Sequence, residues 1–160
     1  MMELVDIRDR LDSVEVRELV DQLEYPPDIR AAKTEQILQE YRDCPDQPFL
    51  GMEMNGELVG FIGFRLKPPD GVVIRHITVR RNHRRRGIAR QMIFQACMEN
   101  HFKEISAETD LDAVAFYRRI GFTVESLGEK YPGVERFSCK LELPTSAPLE
   151  ETKSRRALQP

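Results

Sequence analysis

No apolar run in this 160-residue chain approaches the roughly 20 residues that a bilayer-crossing helix needs. The first eleven residues carry several acids and lack the apolar centre of a signal peptide. Both lacks predict a cytoplasmic protein with no membrane partner. Cysteine is scarce: Cys44, Cys97 and Cys139 are odd in number, far apart and free of any C-x-x-C pairing. That excludes a disulfide framework and a cysteine zinc site, and leaves reduced packing residues with no metal. The phosphate-loop pattern G-x-x-x-x-G-K-[ST] is missing, and so is G-x-G-x-x-G. A nucleotide triphosphatase and a Rossmann dehydrogenase are disfavoured accordingly. No internal repeat occurs, and a net charge of −3 argues against general polyanion binding.

What remains is the composition of a soluble globular protein, with 41% apolar and 32% charged residues. Strands are expected over Leu4–Ile7, Pro48–Met54, Glu57–Leu66, Val72–Val79, Lys103–Ala107, Phe122–Leu127 and Val134–Leu143. Asn55-Gly56 joins the second and third as a two-residue hairpin, because both positions must take positive φ. Helices are expected over Ser13–Leu23, Pro27–Tyr41 and Gly87–Asn100. A last helix opens at Thr109-Asp110-Leu111-Asp112, read as a capping box with Thr109 as cap, and stops at Gly121. The order β-α-α-β-β-β-α-β-α-β-β predicts an α/β fold with a mixed, mostly antiparallel central sheet flanked by helices on both faces. Residues 1–143 read as one domain. From 144 to 160 the composition turns to Pro, Ser, Thr, Glu and Arg without periodicity, and a disordered tail is expected.

Charge is concentrated in one place. Arg80, Arg81, Arg84, Arg85, Arg86 and Arg90 fall within eleven residues of an otherwise slightly acidic chain. They turn the corner from a strand into the helix opened by Gly87-Ile88-Ala89. A helix start exposes unpaired N–H groups and the positive end of its dipole. Small residues there let a ligand approach the backbone, and arginines add forked donors for phosphate oxygens. In outline this is a pyrophosphate cradle.

Arg84-Arg85-Arg86-Gly87-Ile88-Ala89 resembles the (Gln/Arg)-x-x-Gly-x-(Gly/Ala) signature of the GNAT acetyltransferases. Asp112-Ala113-Val114-Ala115-Phe116-Tyr117, leading to Gly121-Phe122, resembles the late helix of that family. The resemblance extends from about Leu4 to Leu143 in element order and is specific chiefly over Ile74–Phe122. It implies acetyl-CoA as cofactor, with the diphosphate held by Arg84, Arg85, Arg86, Gly87, Ile88, Ala89 and Arg90. It also implies that the preceding strand splays from its neighbour. Ile77, Thr78 and Val79 would then pair with the pantetheine arm, and the Val79 N–H would polarise the acetyl carbonyl. Tyr117 takes the family position of general acid. The family often has asparagine where Asp110 stands, so a direct Asp110 contact to an anionic cofactor is not expected.

Acetyl transfer further needs an unprotonated amine, although a free alkylamine has a pKa near 10. His76, on the strand face opposite Ile77 and Val79, is one candidate base. Glu108, acting through a water, is another. The acceptor pocket is expected from the two early helices and Glu129-Lys130-Tyr131-Pro132-Gly133, with Glu24, Glu40 and Glu129 as carboxylates able to attract a cation. The function expected is transfer of an acetyl group to a primary amine of a small molecule or peptide, by direct attack in a ternary complex. A monomer or homodimer would serve, with no nucleic acid involved. A non-catalytic acyl-CoA-binding regulator is the alternative. It needs the arginine loop but not Tyr117.

Overall fold

Asn55 (φ 52°) and Gly56 (φ 82°) both adopt the left-handed backbone that a tight hairpin demands. The computed structural model describes residues 1–143, so the expected tail at 144–160 lies outside the described residues. The chain comprises β1 (Met2–Asp6), α1 (Val14–Asp21), α2 (Pro27–Asp43), β2 (Phe49–Met54), β3 (Glu57–Lys67), β4 (Gly71–Val79), α3 (Ile88–Asn100), β5 (Glu104–Asp110), α4 (Leu111–Arg119), β6 (Thr123–Tyr131) and β7 (Val134–Glu142). Single 3-10 turns lie at Arg8–Arg10 and Arg81–His83. Among the described residues seven strands, mostly antiparallel, and four α-helices give the mixed α/β architecture that the sequence order predicts.

Contacts divide the chain into two compact units. The first holds Met1–Leu66 and Val73–Ala96; the second holds, among the described residues, Lys67–Val72 and Cys97–Leu143. In the first unit the strand neighbours run β1-β2-β3-β4. β1 pairs antiparallel with β2, and β2 with β3, Phe49 standing opposite Gly63. The Ser13 Oγ accepts from the Val16 amide and so starts α1. Pro27 starts α2, where its missing N–H costs nothing. The helices bury Val16, Leu19, Val20, Ile37, Leu38 and Tyr41 against Phe49, Leu58 and Phe61. β3 is buried continuously from Leu58 to Phe64. An uninterrupted apolar run of this kind marks a strand covered on both faces.

In the second unit the order is β5-β7-β6, with antiparallel pairing throughout. Two differences from the sequence reading exceed two residues at an element's end. β5 runs on through Thr109, so Asp110 caps α4, its Oδ1 accepting from the Asp112 and Ala113 amides at 3.1 and 3.3 Å. Thr109 is a strand residue. α4 ends at Arg119, with Ile120 as its C-cap and Gly121 following at φ 107°, as expected. β6 does not stop at Leu127. Gly128 (φ 79°) sits at a register shift, and the strand continues to Tyr131, which faces Val134 across a Pro132-Gly133 turn. The glycine marks a bulge within the strand, not its end.

Candidate active site

The arginine-rich corner belongs to the first unit. After β4 the chain makes the 3-10 turn Arg81–His83, extends at Arg84, and enters left-handed backbone at Arg85 (φ 63°) and Gly87 (φ 75°). The first helical bond of α3 is donated by the Gln91 amide to the Gly87 carbonyl at 3.0 Å. The amides of Ile88, Ala89 and Arg90 therefore have no carbonyl to bond within the helix. A Cβ built on Gly87 would meet nothing within 4 Å. The backbone here needs glycine for its φ, and it faces open space in which a ligand can approach.

The arginines divide into two groups. Arg80 donates from Nε to the Leu58 carbonyl at 2.6 Å, and its guanidinium lies 3.8 Å from Glu18. Arg84 donates from Nε to the Val79 carbonyl at 2.9 Å and ties the loop back onto its own strand. These two hold the corner in shape. Arg81, Arg85, Arg86 and Arg90 are exposed, Arg90 lying over the Phe94 ring at 5.2 Å. Among the described residues neither Arg85 nor Arg86 enters an ion pair. The sequence alone does not separate the two groups, because the backbone carbonyls that take Arg80 and Arg84 are visible only in the fold.

The strand before this corner is bonded to β3 on one side. The Arg80 amide donates to the Val59 carbonyl of β3 at 2.8 Å. Successive amides of a strand point to opposite sides, so those of Val79 and Ile77 point away from β3. Thr78, like Arg80, faces β3, and a Cβ on Gly60 would come within 2.8 Å of the Thr78 carbonyl oxygen. Only glycine at 60 admits this approach. Ile77 is half-buried; Thr78 and Val79 are buried.

His76 faces α2. Its Nδ1 lies 2.7 Å from the Tyr41 hydroxyl, with the two rings edge to face at 5.6 Å. Burial pushes the imidazole pKa down to about 4, with the Arg75 charge adding to this and Glu40 opposing it. Burial also pushes the Tyr41 phenol well above its usual range. Beside this pair, Arg75 grips Glu40 with two donors, Nε at 3.2 Å and an Nη at 2.9 Å. Burial works against the ionised Glu40, but the bonds and charge of Arg75 outweigh it and hold its pKa below normal. Glu40, considered from the sequence as a lure for a cationic acceptor, is already paired.

The second unit holds the other candidates. Tyr117 is buried on α4 between Phe116 and Phe122, ring centroids 5.1 and 5.2 Å away. Burial, and then the neighbouring Cys139, keep its phenol pKa above the ordinary value, so the proton stays on at neutral pH. Glu108 pairs with Lys130 at 3.2 Å and with Arg136 at 3.5 Å. Asp110 spends its carboxylate on the α4 amides. Glu129 accepts from the Gly133 amide at 3.2 Å within the hairpin turn. Burial raises the Cys97 thiol to about 12 and raises Cys139 as well, consistent with packing roles. Among the described residues no helix is long and apolar enough to cross a membrane.

Sequence reasoning missed Tyr41. It completes the stripe Thr34, Ile37, Leu38, Tyr41 on the buried face of α2. That periodicity signals burial but gives no hint of a polar partner.

Solved structures with this fold are numerous. An N-acetyltransferase, PaiA from Thermoplasma acidophilum, in complex with coenzyme A, superposes with a TM-score of 0.68 at 16% identity, covering 89% of this chain and 99% of its own. A spermidine N-acetyltransferase SpeG chimera from Vibrio cholerae and hSSAT gives 0.70 at 16% identity, covering 88% and 95%. Ard1 from Thermoplasma volcanium gives 0.66 at 19% identity, covering 89% and 98%. At such identities the likeness establishes the fold alone. No curated protein matches the chain. The sequence pattern of the Acetyltransferase (GNAT) family, in contrast, matches residues 14–122, which include β4, the arginine corner and α4. The chain belongs to the GNAT family of acetyltransferases.

Proposed function

We propose that this protein transfers an acetyl group from acetyl-CoA to a primary amine, borne by a small molecule or a peptide, by direct attack in a ternary complex. The observation that carries the reading is the β4–α3 corner. First-turn amides with no carbonyl to bond within the helix, left-handed backbone at Arg85 and Gly87, and guanidinium groups at Arg85 and Arg86 that enter no ion pair among the described residues fit a diphosphate. Arg90 belongs to the same exposed set, whereas Arg84 serves by holding the loop against Val79. Ile88 and Ala89 contribute backbone donors. The thioester supplies an activated acyl group and a good leaving thiol.

The chain has three tasks. The Ile77 and Val79 edge, with amides turned away from β3, accepts an extended arm by strand addition, and the Val79 N–H stabilises negative charge on the attacked carbonyl oxygen. Tyr117, whose phenol retains its proton, donates it to the departing sulfur, as the family resemblance implies. Glu108 takes a proton from the amine through a water, with Lys130 and Arg136 orienting its carboxylate. The structures of relatives that bind coenzyme A or acetyl-CoA support the choice of donor.

A thiol-release assay with acetyl-CoA against a panel of alkylamines, polyamines, amino acids and peptides tests the proposal. Release with one amine class only is expected. Tyr117→Phe should slow turnover by about 10²-fold, the low end for general acid catalysis, and leave coenzyme affinity nearly unchanged. Tight coenzyme binding with no release for any amine would favour the non-catalytic acyl-CoA-binding regulator.

A further inference from the structure

We propose that Tyr41 locks His76 in the Nε2–H tautomer, making His76 a hydrogen-bond donor that selects amines with an accepting oxygen beside the nitrogen. The substrate half of this inference rests on the proposed acetyl transfer; the tautomer half does not.

The argument begins with a buried hydroxyl. Tyr41 is 0% exposed, and among the described residues its hydroxyl has one partner, His76 Nδ1 at 2.7 Å. A hydroxyl has one proton to give. Were Nδ1 protonated and donating to Tyr41, the phenolic proton would be left in the core without an acceptor, which burial penalises. With Tyr41 donating to Nδ1, every polar atom of the contact is satisfied. A neutral imidazole carries one N–H, so the proton must then sit on Nε2.

The chain is shaped around this contact. Gly63 of β3 leaves the space that the phenol occupies, since a Cβ there would lie 2.0 Å from the Tyr41 hydroxyl oxygen. Phe49 backs the Tyr41 ring at a centroid distance of 4.5 Å and stops it from sliding away. On the other side the Glu40–Arg75 pair neutralises both charges nearest His76, so no bare carboxylate draws a proton onto the ring. Tyr41 is thus a positioning residue for His76.

The chemical consequence concerns the acceptor. His76 is half-buried. An Nε2–H cannot take a proton from an ammonium and does not attract one. It pairs with a carbonyl or hydroxyl oxygen. The α-amino amide of an amino acid or a peptide N-terminus carries such an oxygen close to its nitrogen, whereas a simple alkylamine or polyamine does not. His76 therefore serves recognition, and proton acceptance falls to another group.

The first test is a long-range proton–nitrogen NMR spectrum of the ¹⁵N-histidine-labelled protein at pH 7.5, with His76 assigned through His76→Gln. A protonated-type Nε2 and a hydrogen-bond-accepting Nδ1 are expected. In Tyr41→Phe the accepting signature at Nδ1 should vanish. A protonated Nδ1 in the unmodified protein would overturn the proposal without any variant being needed. The second test compares alaninamide with propylamine in the thiol-release assay. One hydrogen bond predicts a preference for the amide of roughly three- to tenfold in kcat/KM. The preference should survive in His76→Gln, which keeps a donor, and disappear in His76→Leu. An unchanged preference in His76→Leu would refute the recognition role. If neither amine is acetylated, the recognition role is overturned; acetyl transfer itself fails only if the full amine panel is also silent, and the nitrogen spectrum still decides the tautomer.

Discussion

Replacing Gly63 with alanine puts a methyl group where the core has no room. The new Cβ would lie 2.0 Å from the Tyr41 hydroxyl oxygen, 2.5 Å from Cζ and 3.0 Å from Cε1. The ring cannot retreat easily, because Phe49 lies behind it at 4.5 Å and Phe61 stands 5.1 Å behind Phe49. Overpacking of this kind costs about 1–3 kcal/mol. Moving the phenol also breaks its bond to His76, adding about 1 kcal/mol. Against this, replacing glycine restricts the unfolded chain and returns about 0.4–1 kcal/mol. The net expectation is a loss of about 1–3 kcal/mol, read as a lower urea midpoint at unchanged slope. Tyr41→Phe removes the nearest clashing atom but leaves Cζ in place. The double variant should therefore be less destabilised than the sum of the single ones, by about 1 kcal/mol in a mutant cycle. Stability of Gly63→Ala within about 0.5 kcal/mol of the unmodified protein would show that the ring is free to move, contradicting the packing described above.

Three further outcomes follow from single groups. His76 has a folded pKa near 4, below an unfolded value near 6.5, so its contribution to stability is complete above 6.5 and is lost as pH falls toward 4. The linkage amounts to about 2 kcal/mol between pH 7.5 and pH 5, measurable by urea titration at both and flattened in His76→Gln. Asp110→Ala removes the α4 cap and should cost about 1 kcal/mol, with Asp110→Asn close to neutral. Coenzyme affinity, measured on the same proteins, should hardly change in either variant, because the Asp110 carboxylate is turned to the helix. Gly87→Ala forces a side chain into φ 75° and should cost about 1–2 kcal/mol, read from the urea midpoint.

Features decided by a few neighbouring residues are legible in the sequence. The Asn55-Gly56 hairpin, the Ser13 start of α1 and the Gly121 stop of α4 each depend on local φ or on one side chain reaching a nearby amide. The arginine corner is legible for the same reason, since a strand, a basic turn and a small-residue helix start lie consecutively. Other features depend on where elements end or meet. Thr109 and Asp110 offer the same capping chemistry one residue apart, and only the length of β5 decides between them. Gly128 reads equally as a strand end or a bulge until β7 supplies its register. Arg84 reads as a diphosphate ligand in the sequence, and the carbonyls of Leu58 and Val79 that take the Nε of Arg80 and of Arg84 appear only once β3 and β4 are in place. Tyr41 and His76 lie 35 residues apart, and no local pattern announces their contact.

The account depends on the backbone and guanidinium groups between Arg85 and Arg90 forming a seat for a diphosphate. Titration calorimetry of the purified protein with coenzyme A and with acetyl-CoA measures this directly. Saturable heat is predicted for both, with affinity weakened at least about tenfold in Arg85→Glu and in Arg86→Glu, the effect of losing one charge-assisted bond. Absence of heat with either ligand, or affinities unmoved by both reversals, would contradict it.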